Sequence, residues 1–222
     1  MYDRTAIVIG ATGLVGIELV QLLLEDQRFS HIKVLTRRNL ELQNEKLEEY
    51  LVDFNLPDSW SDLVSGDVLF SVMGTTLKTA GSKSAQYLVD HTYQYQVAAA
   101  AAKNDVPVYV LVSSAMADPK SRIFYTRMKG ELERDISQLP FKYIHILQPG
   151  MLKGKRKENR PGEKAALNIM HFLNKLGILK KQRPIPVKQV AQAMINVSFQ
   201  QKAPINTYAL QEVFQAADDH EG

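Results

Sequence analysis

The fold of this chain is decided by residues 5–16, which read Thr5-Ala6-Ile7-Val8-Ile9-Gly10-Ala11-Thr12-Gly13-Leu14-Val15-Gly16. The first five residues are apolar or β-branched, as expected of a buried central strand. From residue 14 to residue 24 the apolar side chains recur with helical spacing. Three glycines therefore stand at the junction of a strand and a helix, which predicts the first turn of a βαβ unit.

This glycine turn has the properties that bind a dinucleotide pyrophosphate. A pyrophosphate needs a tight turn, backbone without Cβ atoms where it approaches, and free N–H groups at the start of a helix. The spacing is G-x-x-G-x-x-G rather than G-x-G-x-x-G, so a glycine-rich turn that binds nothing is the alternative. The residues predicted to contact the coenzyme are Gly10, Thr12, Gly13, Leu14, Val15 and Gly16.

Strand-like and helix-like segments alternate along the rest of the chain. Strands are predicted at residues 32–36, 50–53, 68–72, 106–112, 143–147 and 207–210, and helices at 84–103, 121–138 and 187–199. This order predicts an α/β fold with a doubly wound parallel sheet, the Rossmann fold. We expect a single domain over residues 1–222, with a small substrate-side lid at 151–206 and a polar C-terminal tail that frays.

The composition argues against several classes of protein. The chain has 222 residues, a net charge of +3, no cysteine and five scattered histidines, which disfavours a nucleic-acid surface or a metal site. No apolar segment is long enough for a signal peptide or a membrane span. We therefore expect a cytoplasmic protein with a small-molecule substrate and no nucleic-acid, membrane or metal partner. It is a monomer or a homodimer, since the small side chains at 97–102 fit either a dimer contact or packing on the chain's own sheet.

The end of the second predicted strand indicates which dinucleotide binds. NAD-binding versions of this fold place a carboxylate there for the ribose 2′-hydroxyl, but this chain has Arg37 and Arg38 after Thr36. Two guanidiniums favour a 2′-phosphate, so NADP(H) is expected over NAD(H), unless the arginines form only a solvated turn. Asp53, at the end of the third strand, would meet the adenine amino group or merely cap the strand end.

Candidate catalytic residues follow the strand at 106–112. Tyr125 and Lys129 are spaced i and i+4, so they project from one face of a helix. A phenol ionises near pH ~10, and a neighbouring cation favours its phenolate form. We predict that Tyr125 acts as the general acid and base, that Lys129 supports it and holds the nicotinamide ribose, and that Ser114, or else Ser113, stabilises the reacting oxygen. A core tyrosine, a surface lysine and a serine cap are the alternative.

These residues resemble those of the short-chain dehydrogenase/reductases. The matching segments are residues 10–16, the set Ser114, Tyr125 and Lys129, and Gln148-Pro149-Gly150. Within that family the chain is most similar to an atypical branch, the Tat-interacting oxidoreductases and the NAD(P)H-binding NmrA-like group, over about residues 5–165. That finer similarity rests on Gly74-Thr75-Thr76, Ala80-Gly81, Ser113-Ser114, residues 125–130 and Arg160-Pro161-Gly162-Glu163.

The resemblance implies further roles. Gly74 and Thr75 would line the adenosine side of the coenzyme, and Pro149, Gly150 and Met151 would approach the nicotinamide. The chain departs from the family in its short interval from Ser114 to Tyr125, in Val72-Met73-Gly74 in place of Asn-Asn-Ala-Gly, and in its small C-terminal part. The substrate is therefore not defined beyond a carbonyl or alcohol.

Three functions fit these predictions. An NADP(H)-dependent oxidoreductase is the first, and a non-catalytic NADP(H)-sensing regulatory or scaffold protein is the second. An epimerase or dehydratase that recycles its coenzyme is the third. A basic loop, predicted to precede a helix that ends near residue 175, is either a solvated charge run or a clamp for an anion or an acidic partner. Its cations are Lys153, Lys155, Arg156, Lys157, Arg160 and Lys164.

Overall fold

The computed structural model describes residues 3–154 and 183–219. The strands in these residues are β1 Arg4–Ile9, β2 Phe29–Thr36, β3 Leu47–Leu51, β4 Val68–Ser71, β5 Val108–Val112, β6 Tyr143–Gln148, β7 Leu152–Lys153, β8 Ile185–Pro186 and β9 Ile205–Ala209. The helices are α1 Leu14–Glu25, α2 Leu77–Ala80, α3 Lys83–Tyr87, α4 Tyr93–Lys103, α5 Phe124–Ile136, α6 Val187–Val197 and α7 Gln211–Asp218. Two 3-10 turns, Pro57–Ser59 and Ser61–Leu63, precede β4, and a π-helical segment, Leu88–Thr92, joins α3 to α4.

A seven-stranded sheet runs through the centre of the protein in the order β3-β2-β1-β4-β5-β6-β9. All of its neighbouring strands are parallel. The strand order reverses between β1 and β4, and in doubly wound sheets a crevice for ligands opens at the carboxyl ends of the strands at that reversal. The predicted Rossmann fold is confirmed, and the glycine turn after β1 lies at this reversal.

Helices cover both faces of the sheet. Ala6 and Val8 of β1 belong to a core formed with α1, α6 and α7, whereas Ile7 and Ile9 belong to a core formed with α4, α5 and the 3-10 turns. All four side chains are fully buried. The unbroken apolar run of the first strand follows from this two-sided burial.

Several predicted elements differ from those observed. The helix predicted at 84–103 is interrupted by the π-helical segment. Strand β3 begins at Leu47 instead of residue 50, because residues 47–51 pair with residues 32–36 of β2. The expectation that the tail frays is wrong for residues 211–218, which form α7. Val213, Ala216 and Ala217 recur with helical spacing and are buried in the core that contains α6.

The predicted lid is divided between different parts of the structure. Residues 155–182, including the helix predicted to end near residue 175, lie outside the described residues. The strands β7 and β8 form a separate two-stranded pair, while α6 packs on α1 and β9 joins the main sheet. The described part of residues 151–206 therefore contributes largely to the central domain. Within residues 3–154 and 183–219, no helix has the length and apolarity needed to cross a membrane.

Candidate functional site

The glycine turn is tightly packed against the chain that leaves β4. Gly10 has a φ of +85°, a conformation that residues with side chains rarely adopt, and a Cβ atom at this position would lie 2.5 Å from the backbone of Val72 and Met73. A Cβ atom on Gly16 would collide with the Gly10 carbonyl oxygen. The first and third glycines are therefore required by the packing of the turn itself.

The second glycine, Gly13, leaves the backbone amides at the start of α1 accessible to a ligand. Gly13 is the N-cap residue and is exposed, and its N–H donates to the Gly10 carbonyl at 2.9 Å. The first helical hydrogen bond runs from the Ile17 N–H to the Gly13 carbonyl, so the amides of Leu14, Val15 and Gly16 have no intrahelical acceptor. Gly13, as the N-cap residue, has no side chain that could bond these amides. The turn thus offers a row of backbone donors beside a surface without Cβ atoms, which suits a phosphate group.

Exposed cations follow β2, where the coenzyme ribose is expected. The Thr36 hydroxyl donates to the Arg38 carbonyl at 2.9 Å, which shapes the turn after the strand. Arg37 and Arg38 are both exposed, and within residues 3–154 and 183–219 neither forms an ion pair with a carboxylate. Their guanidiniums are therefore available to an anion.

Asp53 has a local role in the turn that follows β3. Its Oδ1 atom accepts hydrogen bonds from the backbone N–H and the side-chain amide of Asn55, at 3.0 and 2.8 Å. The Tyr93 hydroxyl in turn donates to the Asn55 side-chain oxygen at 2.6 Å. This geometry is that of a strand-end cap, one of the two roles expected from the sequence.

Tyr125 and Lys129 lie on the first two turns of α5, which begins at Phe124 and not at residue 121. Tyr125 is partly exposed, whereas Lys129 is buried. A Cβ atom on Gly130 would collide with the backbone of Asp118 and Pro119, so this glycine lets the segment before the helix cross closely over it. The same segment contains Met116, whose φ of 69° is unusual for a residue with a side chain.

Lys129 meets Asp90, a residue absent from the predictions above. The Lys129 Nζ atom lies 3.3 Å from Asp90 Oδ1, and the other carboxylate oxygen of Asp90 accepts the Thr75 N–H at 2.8 Å. A Cβ atom on Gly74 would also lie 3.3 Å from Asp90 Oδ1. Asp90 therefore links the helix that bears Lys129 to the segment that borders the glycine turn.

The loops after β5 and β6 are held together beside α5. The Ala115 N–H donates to the Pro149 carbonyl at 3.0 Å, which places Ser114 next to the Pro149-Gly150 segment. The Ser114 hydroxyl donates to the Ala115 carbonyl at 3.3 Å, and Ser113 is buried. Met151 accepts an N–H bond from Ile185, which connects this loop to β8.

Burial and neighbouring charges change the pKa values of Lys129 and of two carboxylates near it. Burial alone lowers the pKa of Lys129, but the Asp90 carboxylate, Tyr125 and Glu133 together raise that pKa above its ordinary value. Burial raises the pKa of Asp90, an effect that Lys129 and the Thr75 N–H oppose. Burial also raises the pKa of Glu133, although the Gln148 side-chain amide donates hydrogen bonds to its carboxylate. The ammonium of Lys129 is therefore maintained at neutral pH.

The structure brings together the candidates of the glycine turn, the segment after β4 and the start of α5. Contacts connect Gly10 to Met73, Thr75 to Asp90, and Asp90 to Lys129. Of the basic loop, Lys153 is exposed in β7, and the other cations fall outside the described residues. Taken together, the site offers a turn with unpaired backbone amides, a buried ammonium and a neighbouring phenol at one edge of the sheet.

Comparison with known families agrees with this arrangement. The profile of the NAD(P)H-binding family matches residues 10–201. "Protein FMP52, mitochondrial" of Coccidioides immitis is 37% identical over 170 residues, which cover 70% of this chain and 69% of that protein. The protein of the same name from Saccharomyces cerevisiae is 39% identical over 158 residues, covering 69% of this chain and 68% of that protein.

The names of these relatives overturn one expectation. Both are described as mitochondrial, so the prediction of a cytoplasmic location is wrong. That prediction depended on the absence of a recognisable apolar targeting segment, but mitochondrial targeting segments are amphipathic and rich in arginine and serine. Hydropathy alone therefore does not separate the two locations.

A solved structure shares the fold. MoeE5 in complex with UDP-glucose and NAD superimposes with a TM-score of 0.69 and 16% sequence identity, over 96% of this chain and 81% of that one. At this level of identity the similarity concerns the arrangement of strands and helices. It agrees with a parallel central sheet flanked by helices.

Proposed function

This chain belongs to the NAD(P)H-binding family, and from that premise we propose that it is an NADP(H)-dependent oxidoreductase acting on a small carbonyl or alcohol. The observation that carries the proposal is the position of Lys129. Its buried ammonium is joined through Asp90 to the Thr75 backbone, in the segment that borders the glycine turn, and it lies one helical turn from Tyr125. Tyr125 and the glycine turn therefore lie at the same edge of the sheet, which supports a joint role in acid–base chemistry and coenzyme binding.

The glycine turn and Arg37 and Arg38 are the proposed holders of the coenzyme. The amides at the start of α1 fit a pyrophosphate, and the two exposed guanidiniums fit a ribose 2′-phosphate. Gly74, Thr75, Pro149, Gly150 and Met151 complete the proposed contacts. When bound, the reduced nicotinamide supplies a hydride to the carbonyl carbon of the substrate.

Tyr125 is the proposed general acid. Its phenol donates a proton to the carbonyl oxygen while the carbon gains the hydride, and the same group removes the proton from an alcohol in reverse. The positive charge of Lys129 stabilises the phenolate that remains, and the proposal also places this ammonium against the nicotinamide ribose. Ser114 donates a hydrogen bond to the reacting oxygen, with Ser113 as the substitute.

Within its family, we propose that the chain is an atypical short-chain dehydrogenase/reductase, similar to the Tat-interacting and NmrA-like groups. The motif from Tyr125 to Gly130 supports this placement. Its glycine is needed because the backbone of Asp118 and Pro119 crosses α5 too closely to leave room for a side chain at residue 130. We also propose a mitochondrial location on the basis of the relatives' names. Fractionation of cells that express the native protein tests the location, and recovery in the cytosol alone would reject it.

Deuterium transfer tests the proposed reaction. Coenzyme labelled at the nicotinamide C4 position is incubated with the protein and a panel of small aldehydes and ketones, and the products are analysed by mass spectrometry. The wild type is expected to yield deuterated alcohol, and Tyr125→Phe is expected to lose transfer by about 10²-fold or more while it still binds coenzyme. Tyr143→Phe is the matched control. Tyr143 begins β6, at the end of the strand opposite to the Pro149-Gly150 segment, so this variant is expected to retain transfer.

The same experiment separates the alternative functions. Coenzyme binding without transfer to any substrate, in the wild type as well as in Tyr125→Phe, would favour a sensor. Isomerised or dehydrated product without net oxidation of the coenzyme would favour an epimerase or dehydratase.

A further inference from the structure

Asp90 and Lys129 form an ion pair that is almost completely removed from solvent. The exposed fractions of their side chains are 2% and 5%, and the two residues come from different elements, the π-helical segment and α5. Taking two charges out of water is costly, and leaving one of them without its partner is costlier still. Such a pair contributes little to stability, so its presence beside the candidate site calls for another explanation.

Asp90 belongs to a polar stripe formed by Gln86, Asp90 and Gln94, which are spaced by four residues and are all buried. The stripe contacts the segment that leaves β4. Gln94 accepts a hydrogen bond from the Ser71 hydroxyl at 2.7 Å, and Gln86 donates to the Thr75 carbonyl at 3.3 Å. The segment from Ser71 to Thr75 is therefore held at both ends by side chains of one continuous helical region.

The π-helical segment explains how the polar stripe stays on one face. On an α-helix, residues spaced by four drift around the axis, because four residues exceed one turn of 3.6. Within Leu88–Thr92 the Tyr93 N–H bonds to the Leu88 carbonyl, an i→i+5 bond that winds the chain less per residue and offsets the drift. The side-chain amide of Gln94 donates to the Asp90 carbonyl at 2.6 Å and fixes the conformation.

We propose that Asp90 is a positioning residue of this site, whose carboxylate keeps the buried Lys129 ammonium charged and fixed against the Thr75 backbone. The proposal rests on the function proposed for Lys129, as the cation that supports Tyr125 and the coenzyme ribose. In this proposal Asp90 does not itself touch Tyr125 or the coenzyme ribose. It acts through Lys129 on one side and through the Thr75 N–H on the other.

The charges around Lys129 explain why Asp90 is needed. Three ionisable groups act on the ammonium: Asp90 from the π-helical segment, and Tyr125 and Glu133 from α5. Burial opposes the charge on Lys129, and Asp90 counteracts burial more than either of the other two groups does. Removing the negative charge at position 90 should therefore let Lys129 lose its proton at a lower pH, without moving its side chain.

The direct test is an NMR titration of the Lys129 side chain in the protein without coenzyme. The ¹³Cε signal is assigned by its absence from Lys129→Met, and is followed from pH 6 to about 11. In the wild type the signal should remain that of a charged lysine to about pH 10 or above. In Asp90→Asn, which keeps the shape and the acceptor for Thr75, the midpoint should fall by about one pH unit or more.

Two further variants separate charge from structure. Asp135→Asn removes a carboxylate of α5 that pairs with His91 and Arg134, and should leave the Lys129 titration unchanged. Asp90→Glu restores the charge and should return the midpoint toward that of the wild type. If Asp90→Asn does not fold, the wild-type titration still decides, because a Lys129 that loses its proton below about pH 9 contradicts the proposal.

The pH dependence of NADPH affinity supplies the functional readout. Between pH 7 and about pH 10.5, Asp90→Asn should lose affinity by about tenfold as Lys129 loses its charge, whereas the wild type should change by less than about threefold. Equal Lys129 titrations in the wild type and in Asp90→Asn would overturn the role of Asp90. Failure of the wild type to bind NADPH would overturn the proposed function instead, and the NMR titration would still test Asp90.

Discussion

Gly10 packs against Met73 so closely that a Cβ atom on residue 10 would lie 2.5 Å from the Met73 backbone nitrogen. The two residues follow neighbouring parallel strands, and the Val72 N–H also donates to the Ile9 carbonyl at 3.0 Å. The glycine turn and the segment that carries Gly74 and Thr75 are therefore one packed unit. Disturbing either should affect the same coenzyme site.

Gly10→Ala should destabilise the protein and weaken coenzyme binding. A methyl group at this position combines a left-handed φ, which costs about 1–2 kcal/mol, with a backbone collision that costs about 1–3 kcal/mol more. Gly81 provides the matched control, since its φ of 83° is nearly the same but nothing lies within 4 Å of an added Cβ. Gly81→Ala should carry only the conformational cost.

Denaturant unfolding and NADPH titration of both variants measure this difference. We expect Gly81→Ala to bind NADPH like the wild type, and Gly10→Ala to bind at least about tenfold more weakly. Equal stability and equal affinity for the two variants would show that the turn relaxes away from Met73, and would remove the packing argument for the glycine.

Much of the fold was predictable, because glycine and apolar patterns report directly on backbone conformation and burial. The unbroken apolar run Ala6–Ile9 indicates a strand covered on both faces, and the glycines after it indicate the turn. The polar stripe was not predictable, because Gln86, Asp90 and Gln94 at helical spacing normally indicate a solvent-exposed face. The π-helical segment that directs them inward has no comparable sequence signal.

The candidate site was likewise predictable only in part. Tyr125 and Lys129 were identified from their spacing, and they do lie on one helix. Their partner Asp90 is 39 positions from Lys129 along the chain, and only the tertiary packing of the π-helical segment on α5 brings it to the ammonium. The signal available in the sequence was a single carboxylate within residues 83–103, a stretch rich in apolar and amide side chains.

Arg37 and Arg38 should determine the preference for NADPH. Replacing both by alanine removes two exposed cations from the end of β2, so the Kd for NADPH should rise by about 10- to 100-fold while that for NADH stays nearly constant. Replacing Lys103 and Lys142 by alanine removes two exposed cations at the other end of the sheet and controls for the change in net charge. A parallel loss of affinity for both coenzymes would indicate that the arginines maintain the turn rather than bind a phosphate.

His145 should make the protein sensitive to mild acid. Burial lowers the pKa of this fully buried histidine to about 4. Because the unfolded chain binds the proton near pH 6.5, stability should fall as the pH decreases below that value, by about 2 kcal/mol at pH 5. His145→Asn should lack this slope.

Urea unfolding at pH 7 and pH 5 measures the effect of His145. The exposed His31 supplies the control, since His31→Gln should keep the wild-type slope. The prediction fails if His145→Asn loses as much stability between the two pH values as the wild type does.

Gly130→Ala should reverse the usual effect of alanine in a helix. Alanine in place of glycine normally stabilises a helix interior by about 1 kcal/mol. In α5 the added Cβ would collide with the backbone of Asp118 and Pro119, so we expect a net loss of about 1–3 kcal/mol. Thermal unfolding decides the sign, and a stabilised variant would show that the crossing segment is free to move away from the helix.

The most direct test of the account is a titration of the purified protein with NADPH and with NADH, followed by the fluorescence of the reduced nicotinamide. Binding through the glycine turn and the two arginines predicts saturation with NADPH, at a Kd about tenfold or more below that for NADH. The absence of saturable binding for either coenzyme would contradict the central claim and remove the basis for the roles of Tyr125 and Lys129.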